Sequence, residues 1–408
     1  TEVFTIRAGM SSEYRRIHDL PKCREVNDLH HAKDAYLAAV LAQYIKVRYP
    51  RLDKAFIYGE YMKFKSKKQT DADRSSFILS SMKYDFTNTE TGEIIWQGKT
   101  AQDVIDRTMR YNDCLITRKT KIGDDQFYDQ TIYGKNSGKT MIARKANLPV
   151  GKYGGYSGEK AAYFAAITYL KQVRNKDVSV NEIVSVPAQI YTLEKTKSDS
   201  INEYISNNYK QATVLLPKIP INQKIEYEGN EQFIVGSSEV TNAKQLKLPY
   251  DIEYAVAIAL KQGIPRVTVS EEQAKEDDNL RDKRAKQIEK RDKVISGIER
   301  FWEVYTDKLS SQYQQFGSVV EKAKVANNEY RAMPVEDKIK AIGLVLTATH
   351  AGSGRVDMKK SFPKLGLPDD FGRMKGKKLD PAKLTFVYES ITGLHRRKLD
   401  EKTLGQDR

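Results

Sequence analysis

A stretch of helical periodicity bracketed by Asn27-Asp28 and Pro50 constrains this chain more than any other segment. Asn27 or Asp28 can cap a helix N-terminus, and Pro50 stops it about six turns later at ~3.6 residues per turn. Leu29, Ala32, Tyr36, Ala39, Val40, Tyr44 and Val47 recur at helical spacing, which predicts one face packed on a core.

His31 and Asp34 stand three residues apart near the start of this helix, so both side chains share a face. A carboxylate that holds a divalent ion and an imidazole that takes a proton from water are the parts of metal-assisted phosphodiester hydrolysis. Spacing alone does not decide for it. A His/Asp pair on a helix is more often a satisfied structural pair.

Charge narrows the partners. Sixty-nine Lys and Arg against 54 Asp and Glu give +15, and 24 Tyr and 13 Phe lie among the basic residues. That combination favours nucleic acid over an acidic lipid surface, for which no basic amphipathic anchor stands out. With 408 residues the chain is long enough for two or three cores. No apolar run approaches the ~18 residues of a membrane span, and the first residues read as a strand rather than a signal peptide. Cys23 and Cys114 form no CxxC, so neither a zinc motif nor a disulfide framework is indicated, and a reducing cytoplasm fits.

Strands are expected over residues 3–7, 55–58, 94–96 and 116–122, with a helix from Ser11, a polar loop over 63–74 and a turn over 88–93. Gly134 to Thr140 resembles a phosphate-binding loop but fails it. Three residues instead of four separate Gly134 from Gly138, and a strand is expected to follow, so a basic hairpin turn is predicted. Residues 152–158 read as a flexible glycine turn and 159–170 as a helix. Residues 224–235 read as a hairpin turning near Gly229-Asn230. Ser270 caps a long, mostly charged helix running past Asp277 to Trp302 and on toward Leu309. Pro334 opens an apolar helix over 335–347. Residues 355–408 carry fourteen Lys and Arg against eight Asp and Glu, and Asp370-Phe371-Gly372 within them is a chance kinase-like tripeptide.

The string His30-His31-Ala32-Lys33-Asp34-Ala35-Tyr36-Leu37, preceded by Arg24-Glu25 and followed by Tyr49-Pro50, resembles the third RuvC segment of the RNA-guided DNA endonucleases of type II CRISPR systems. Tyr58-Gly59-Glu60-Tyr61, Thr91-Gly92-Glu93-Ile94-Ile95-Trp96, Ile142-Ala143-Arg144-Lys145, Lys152-Tyr153-Gly154-Gly155-Tyr156 and Ser390-Ile391-Thr392-Gly393-Leu394 look like further landmarks of that family, in its order.

The resemblance implies a mixed α+β chain. Residues 1–115 would close a discontinuous, RNase H-like RuvC domain. Residues 116–215 would form a wedge or topoisomerase-like domain, and 216–408 a β-rich domain with long helices that reads the protospacer-adjacent motif. It implies His31 and Asp34 as catalytic and metal-binding residues for Mg²⁺ or Mn²⁺, with the remaining carboxylates and the second nuclease domain outside this chain. Guide RNA would meet Arg118, Lys119, Lys121, Arg144, Lys145 and Lys152. A phosphate-lock loop would fall on Tyr128, Asp129 and Gln130, where the family's Lys and Ser are replaced by Tyr and Gln. Counting back from Ser390 puts the two motif-reading positions on Gly372 and Met374, which offer no donor fork. Arg373, Lys375, Lys377 and Lys378 lie around them, and Glu239 matches a carboxylate that steadies a reading arginine. Partners would be guide RNA, double-stranded target DNA and an anti-CRISPR inhibitor protein, with a monomeric protein in the bacterial cytoplasm. The other reading is a non-catalytic basic nucleic-acid-binding module in which His31 and Asp34 are structural.

Overall fold

The computed structural model describes residues 6, 8–50, 78–113, 117–123, 126–237, 239–243, 245–313, 316–351, 357–369, 371 and 379–400. The strand expected over 3–7 (Ile6 apart), the elements expected over 55–58 and 63–74, the Tyr58-to-Tyr61 landmark, Cys114 and Arg373 to Lys378 lie outside them.

The N-terminal unit holds α1 (Ala8–Ile17), α2 (Leu29–Arg48), the short antiparallel pair β1 (Phe86–Thr87) and β2 (Ile94–Trp96), and α3 (Gly98–Met109). Tyr14, Leu37, Leu41, Tyr44, Ile45, Leu79, Met82 and Ile105 form its core. The buried face of α2 is therefore rotated from the expected stripe. Leu37, Leu41 and Ile45 turn inward, whereas Ala32 and Ala39 are exposed. Large aliphatic side chains gain more from burial than alanines, and they set the rotation.

Next come β3 (Ile132–Tyr133), β4 (Ile142–Ala143) and β5 (Gly155–Tyr156) in a small sheet with β5 at its centre. The expected hairpin turn after Gly134 is thus a loop between two strands that flank a third. The glycines of the expected flexible turn have a definite task. A side chain at Gly154, whose φ is +72°, would strike the Tyr133 carbonyl, and one at Gly155 would strike that of Ile142.

The helix expected over 159–170 is a strand. β6 (Ala161–Val173) pairs antiparallel with both β7 (Lys176–Pro187) and β8 (Thr213–Ile219). Arg174 and Asn175, both at positive φ, make the two-residue turn into β7. One face of β6 packs under α4 (Ala188–Glu194) and α5 (Ser200–Asn208), the other against a second sheet. A strand covered on both faces loses its alternation and reads as a continuous apolar run, which sequence cannot distinguish from a buried helix. That second sheet is ordered β11 (Glu239–Asn242), β10 (Asn230–Gly236), β9 (Lys224–Tyr227), β12 (Thr385–Glu389), β13 (Arg396–Asp400). The expected 224–235 hairpin is present, but its turn residues are Glu228 and Gly229, both at positive φ. The strand expected over 116–122 is reduced, in its described part, to one bridge between Lys121 and Ile221.

The remaining unit is helical: α6 (Tyr250–Gln262), α7 (Glu271–Glu276), α8 (Asp278–Gln312), α9 (Gly317–Val325), α10 (Asn327–Ala332) and α11 (Val335–Ala351). Ser270 makes the capping box with Gln273, but the long charged helix breaks at Asp277, whose carboxylate caps α8 by accepting from the Asn279 N–H at 2.7 Å. Val294, Ile298, Phe301, Trp302, Tyr305 and Leu309 of α8 form its buried face in the core of this unit. Phe371 of the kinase-like tripeptide packs on Phe316 in the same core.

Candidate functional site

The start of α2 is built by residues far away in sequence. Cys23 and Val26, in the preceding loop, belong to the core of the helical unit, beside Leu248 and Ile252. Burial pushes the Cys23 thiol up to about 12, so it is an inert core group. The Asn27 amide donates to the Leu246 carbonyl at 2.7 Å, and its oxygen accepts from the Leu29 N–H at 3.0 Å. Asn27 thus satisfies the helix end, and the Asp28 side chain makes no cap bond. Lys33, buried, reaches Glu253 of α6 at 3.0 Å, and both side chains are at most 10% exposed.

Asp34, one turn in and half-buried, is held by two cations. Arg15 of α1 donates to Oδ1 through Nη2 at 2.6 Å and Nε at 3.2 Å, and Lys22 pairs with Oδ2. Burial alone would raise the carboxyl, but the Lys22 and Arg15 hydrogen bonds and charges outweigh it and hold Asp34 below the usual carboxylate range. His31 is exposed; its ring lies against that of His30, with centroids 4.1 Å apart. Burial lowers the His30 imidazole below the ordinary histidine range. His31 and Asp34 both lie near the N-terminal end of α2, but the face expected to hold them together is split: His31 meets His30, and Asp34 meets Arg15 and Lys22. A two-ion centre needs several carboxylates around ions ~3.5–4 Å apart. Among the described residues, Asp34 is a single carboxylate already neutralised by two cations. The residues present do not by themselves fit such a pair of ions.

The other expected site residues fall on two surfaces. Arg144, Lys145 and Lys152 are exposed around the β3–β5–β4 sheet, and among the described residues no carboxylate pairs with them. Lys152 covers the Tyr153 ring at 5.2 Å. Arg118, Lys119 and Lys121 lie on the extended segment beside the five-stranded sheet, where Arg118 stacks over Phe233 and donates to Thr241 at 3.2 Å. Tyr128 stacks on Tyr156 with rings 4.6 Å apart. The Asp129 N–H bonds the Gly158 carbonyl at 2.9 Å, and its carboxylate meets Lys160 at 2.8 Å. A lock drawn through backbone N–H groups thus loses Asp129 as a donor. Its carboxylate, held low by Lys160, would repel phosphate. Gln130 stays exposed, and Glu239 begins β11.

Sequence reasoning missed the cleft between Arg118 and the five-stranded sheet, about 660 Å³, lined also by Gln223, Lys224, Phe233 and Arg396. Lys224 is buried there between Glu231 at 3.2 Å and Glu389 at 3.0 Å, and Arg396 also pairs with Glu231. No local pattern marks a lysine whose partners are contributed by separate strands. At the rim, Ser390 to Leu394 form the β12–β13 turn, closed by the Ser390 N–H on the His395 carbonyl at 2.9 Å, with Ile391 and Leu394 outward.

The comparison with known families decides the kinship. A family model described as the PAM-interacting domain of CRISPR-associated endonuclease Cas9 matches residues 125–397. The chain belongs to the Cas9 family. A second model, the Cas9 RuvC domain, matches residues 1–121, which contain His31 and Asp34. The chain is 32% identical over 255 residues to the CRISPR-associated endonuclease Cas9 of Listeria innocua, covering 60% of this chain and 19% of that protein. Against the Cas9 of Streptococcus mutans it is 27% identical over 260 residues, covering 61% of this chain and 19% of that protein. The chain thus spans about a fifth of the length of the Cas9 relatives it matches, and corresponds to their C-terminal part. The mixed α+β fold agrees with this assignment, the RuvC-matched unit carrying α2 and the PAM-interacting match carrying both large sheets and the helical core. Among the described residues, no helix is long and apolar enough to cross a membrane.

Proposed function

We propose that this chain is the C-terminal portion of an RNA-guided DNA endonuclease. In it α2 supplies Asp34 and His31 to a Mg²⁺-dependent site that cuts the non-target strand, while the rest binds guide RNA and reads the DNA motif. The observation that carries this reading is the placement of Asp34 and His31 on one anchored helix end within the RuvC match. Other parts of the parent polypeptide would bring the remaining carboxylates, and metal binding would require Arg15 and Lys22 to release Asp34. An apolar groove of about 420 Å³ along Ile94, Ile95, Trp96 and Val104 gives those parts a surface to pack on. The reading places the protein in the bacterial cytoplasm as a monomer, open to an anti-CRISPR inhibitor. A cleavage assay of the complete polypeptide with guide RNA tests it: a cut confined to guide-matched DNA is expected, and no cut at all counts against it. The Asp34 ion pairs favour one second reading, a binding module in which that carboxylate is structural.

Two expectations follow for the binding surfaces. Affinity for structured guide RNA should fall steeply with salt, each neutralised phosphate contributing about −0.7 to −0.9 to the slope of log K against log salt. Replacing Arg144 and Lys145 together with glutamine should flatten that slope by about one to two such units, measured by filter binding. Unchanged slope and affinity would remove this surface from RNA contact.

For the DNA motif, Arg373→Ala should change which motif is preferred, whereas Lys378→Ala should weaken all motifs alike. Glu239 would steady Arg373 or Lys375, with Lys377 on phosphate, and Tyr128 and Gln130 remain the lock residues to test. The two-arginine chemistry is the known one for RNA-guided nucleases, and Gly372 and Met374 argue against its reuse here. A randomised-motif depletion assay on both variants separates base reading from phosphate contact.

A further inference from the structure

A second group of ligating side chains lies at the same end of α2. Asp28, His30 and His31 each offer one ligand atom, and these atoms lie within 4.8 Å of one another. His350, near the end of α11 in the helical unit, brings its Nε2 within 3.5 Å of Asp28 Oδ1. Three imidazoles and one carboxylate are a donor set for zinc-like transition ions, whereas magnesium takes oxygen donors.

Two details support ligation over a chance cluster. The buried His30 has Nδ1 2.8 Å from the Asn27 carbonyl, which can only accept. Nδ1 therefore carries the proton and Nε2 keeps its lone pair, the arrangement usual in metal-binding histidines. Asp28 is steadied by Gln245, which accepts from the Asp28 N–H at 2.9 Å and donates to Oδ2 at 3.5 Å, leaving Oδ1 toward His350. Bonds of ~2.0–2.2 Å in a tetrahedron put donor atoms ~3.3–3.6 Å apart. Asp28, His30 and His31 must therefore draw together from within 4.8 Å. His350, which meets Asp28 but stands outside that group of three, must swing further toward the two imidazoles. The exposed His31 and half-buried Asp28 have room to draw in.

We propose that Asp28, His30, His31 and His350 form a transition-metal site, distinct from the nuclease ions, that ties the start of α2 to α11. Its consequence rests on the function proposed above. An ion there occupies His31 and takes away the imidazole that would accept the proton of the attacking water, so zinc would inhibit non-target-strand cutting.

The binding itself is tested without nuclease activity, by titrating the 408-residue chain with Co²⁺ and reading its visible absorption. One Co²⁺ per chain in four-coordinate surroundings is expected, displaced by Zn²⁺ and not by excess Mg²⁺. His350→Ala and His31→Ala should each weaken binding by more than ~10-fold, and Asp34→Ala should leave it unchanged. His31 is exposed, so its variant keeps the fold even if that of His350 does not, and circular dichroism checks both. Absence of bound Co²⁺, displacement by Mg²⁺, or wild-type affinity in either the His31 or the His350 variant would overturn the site. None of these outcomes bears on whether the parent protein cuts DNA.

Discussion

Asp34→Ala in the complete polypeptide, assayed with guide RNA, is expected to abolish cutting of the non-target strand while the target strand is still cut. In the function proposed above, Asp34 is the carboxylate that the anchored end of α2 would supply, and the other strand would be cut by a nuclease domain elsewhere in the parent polypeptide. His31→Ala should act on the same strand with a loss of about 10²–10⁴-fold, the usual cost of removing a general base. Asp34→Ala also strips Arg15 and Lys22 of their shared partner, and Arg15 is largely buried. A structural role would therefore appear as a lower melting temperature and weaker cutting of both strands alike. Strand-selective loss with an unchanged melting temperature separates catalysis from packing. Wild-type nicking by both variants would remove the site.

The largest expected effect on stability is at Glu253. Lys33 and Glu253 form a buried pair between α2 and α6, and Glu253 Oε2 has no hydrogen-bond partner among the described residues. Glu253→Ala would leave an ammonium buried without its counter-charge, a change that typically costs ~3–5 kcal/mol. Replacing both residues with methionine and leucine should recover most of that loss, because desolvating two charges consumes much of what their attraction returns. Urea denaturation of the single and double variants measures this. A single variant as stable as the double one would mean that the pair is hydrated in solution.

The limits of what sequence reveals show in these two carboxylates. α2 was legible because its signals are local: capping residues, 3.6-residue periodicity and Pro50. Ser270 and Pro334 were legible for the same reason. The rotation of α2 was not, since it depends on Leu37, Leu41 and Ile45 finding a core built from residues 10–20 and 78–109, nor was the buried pairing of Lys33 with Glu253, 220 positions away. Nor were the cations on Asp34, which come from α1 and from the loop after it. β6 was misread because burial on both faces erases the alternation that marks a strand. The break in the long helix followed from Asp277 taking a capping role that its charged surroundings disguised. The family-level resemblance fared better than residue-level reasoning because it compares whole strings, in which long-range constraints are already recorded.

The loop that leads into α2 has a consequence for how the protein is made. Cys23 and Val26 lie in a core completed by residues 246 to 371, so emerging early from the ribosome does not let this loop settle. Its partners must be synthesised first, and closing so long a loop is entropically slow. The α1–α2 pair can form while the chain is still nascent. The end of α2 that bears His31 and Asp34 acquires its fixed position only once residues 246 to 371 have been made, so a nascent chain truncated before them would hold that end loosely.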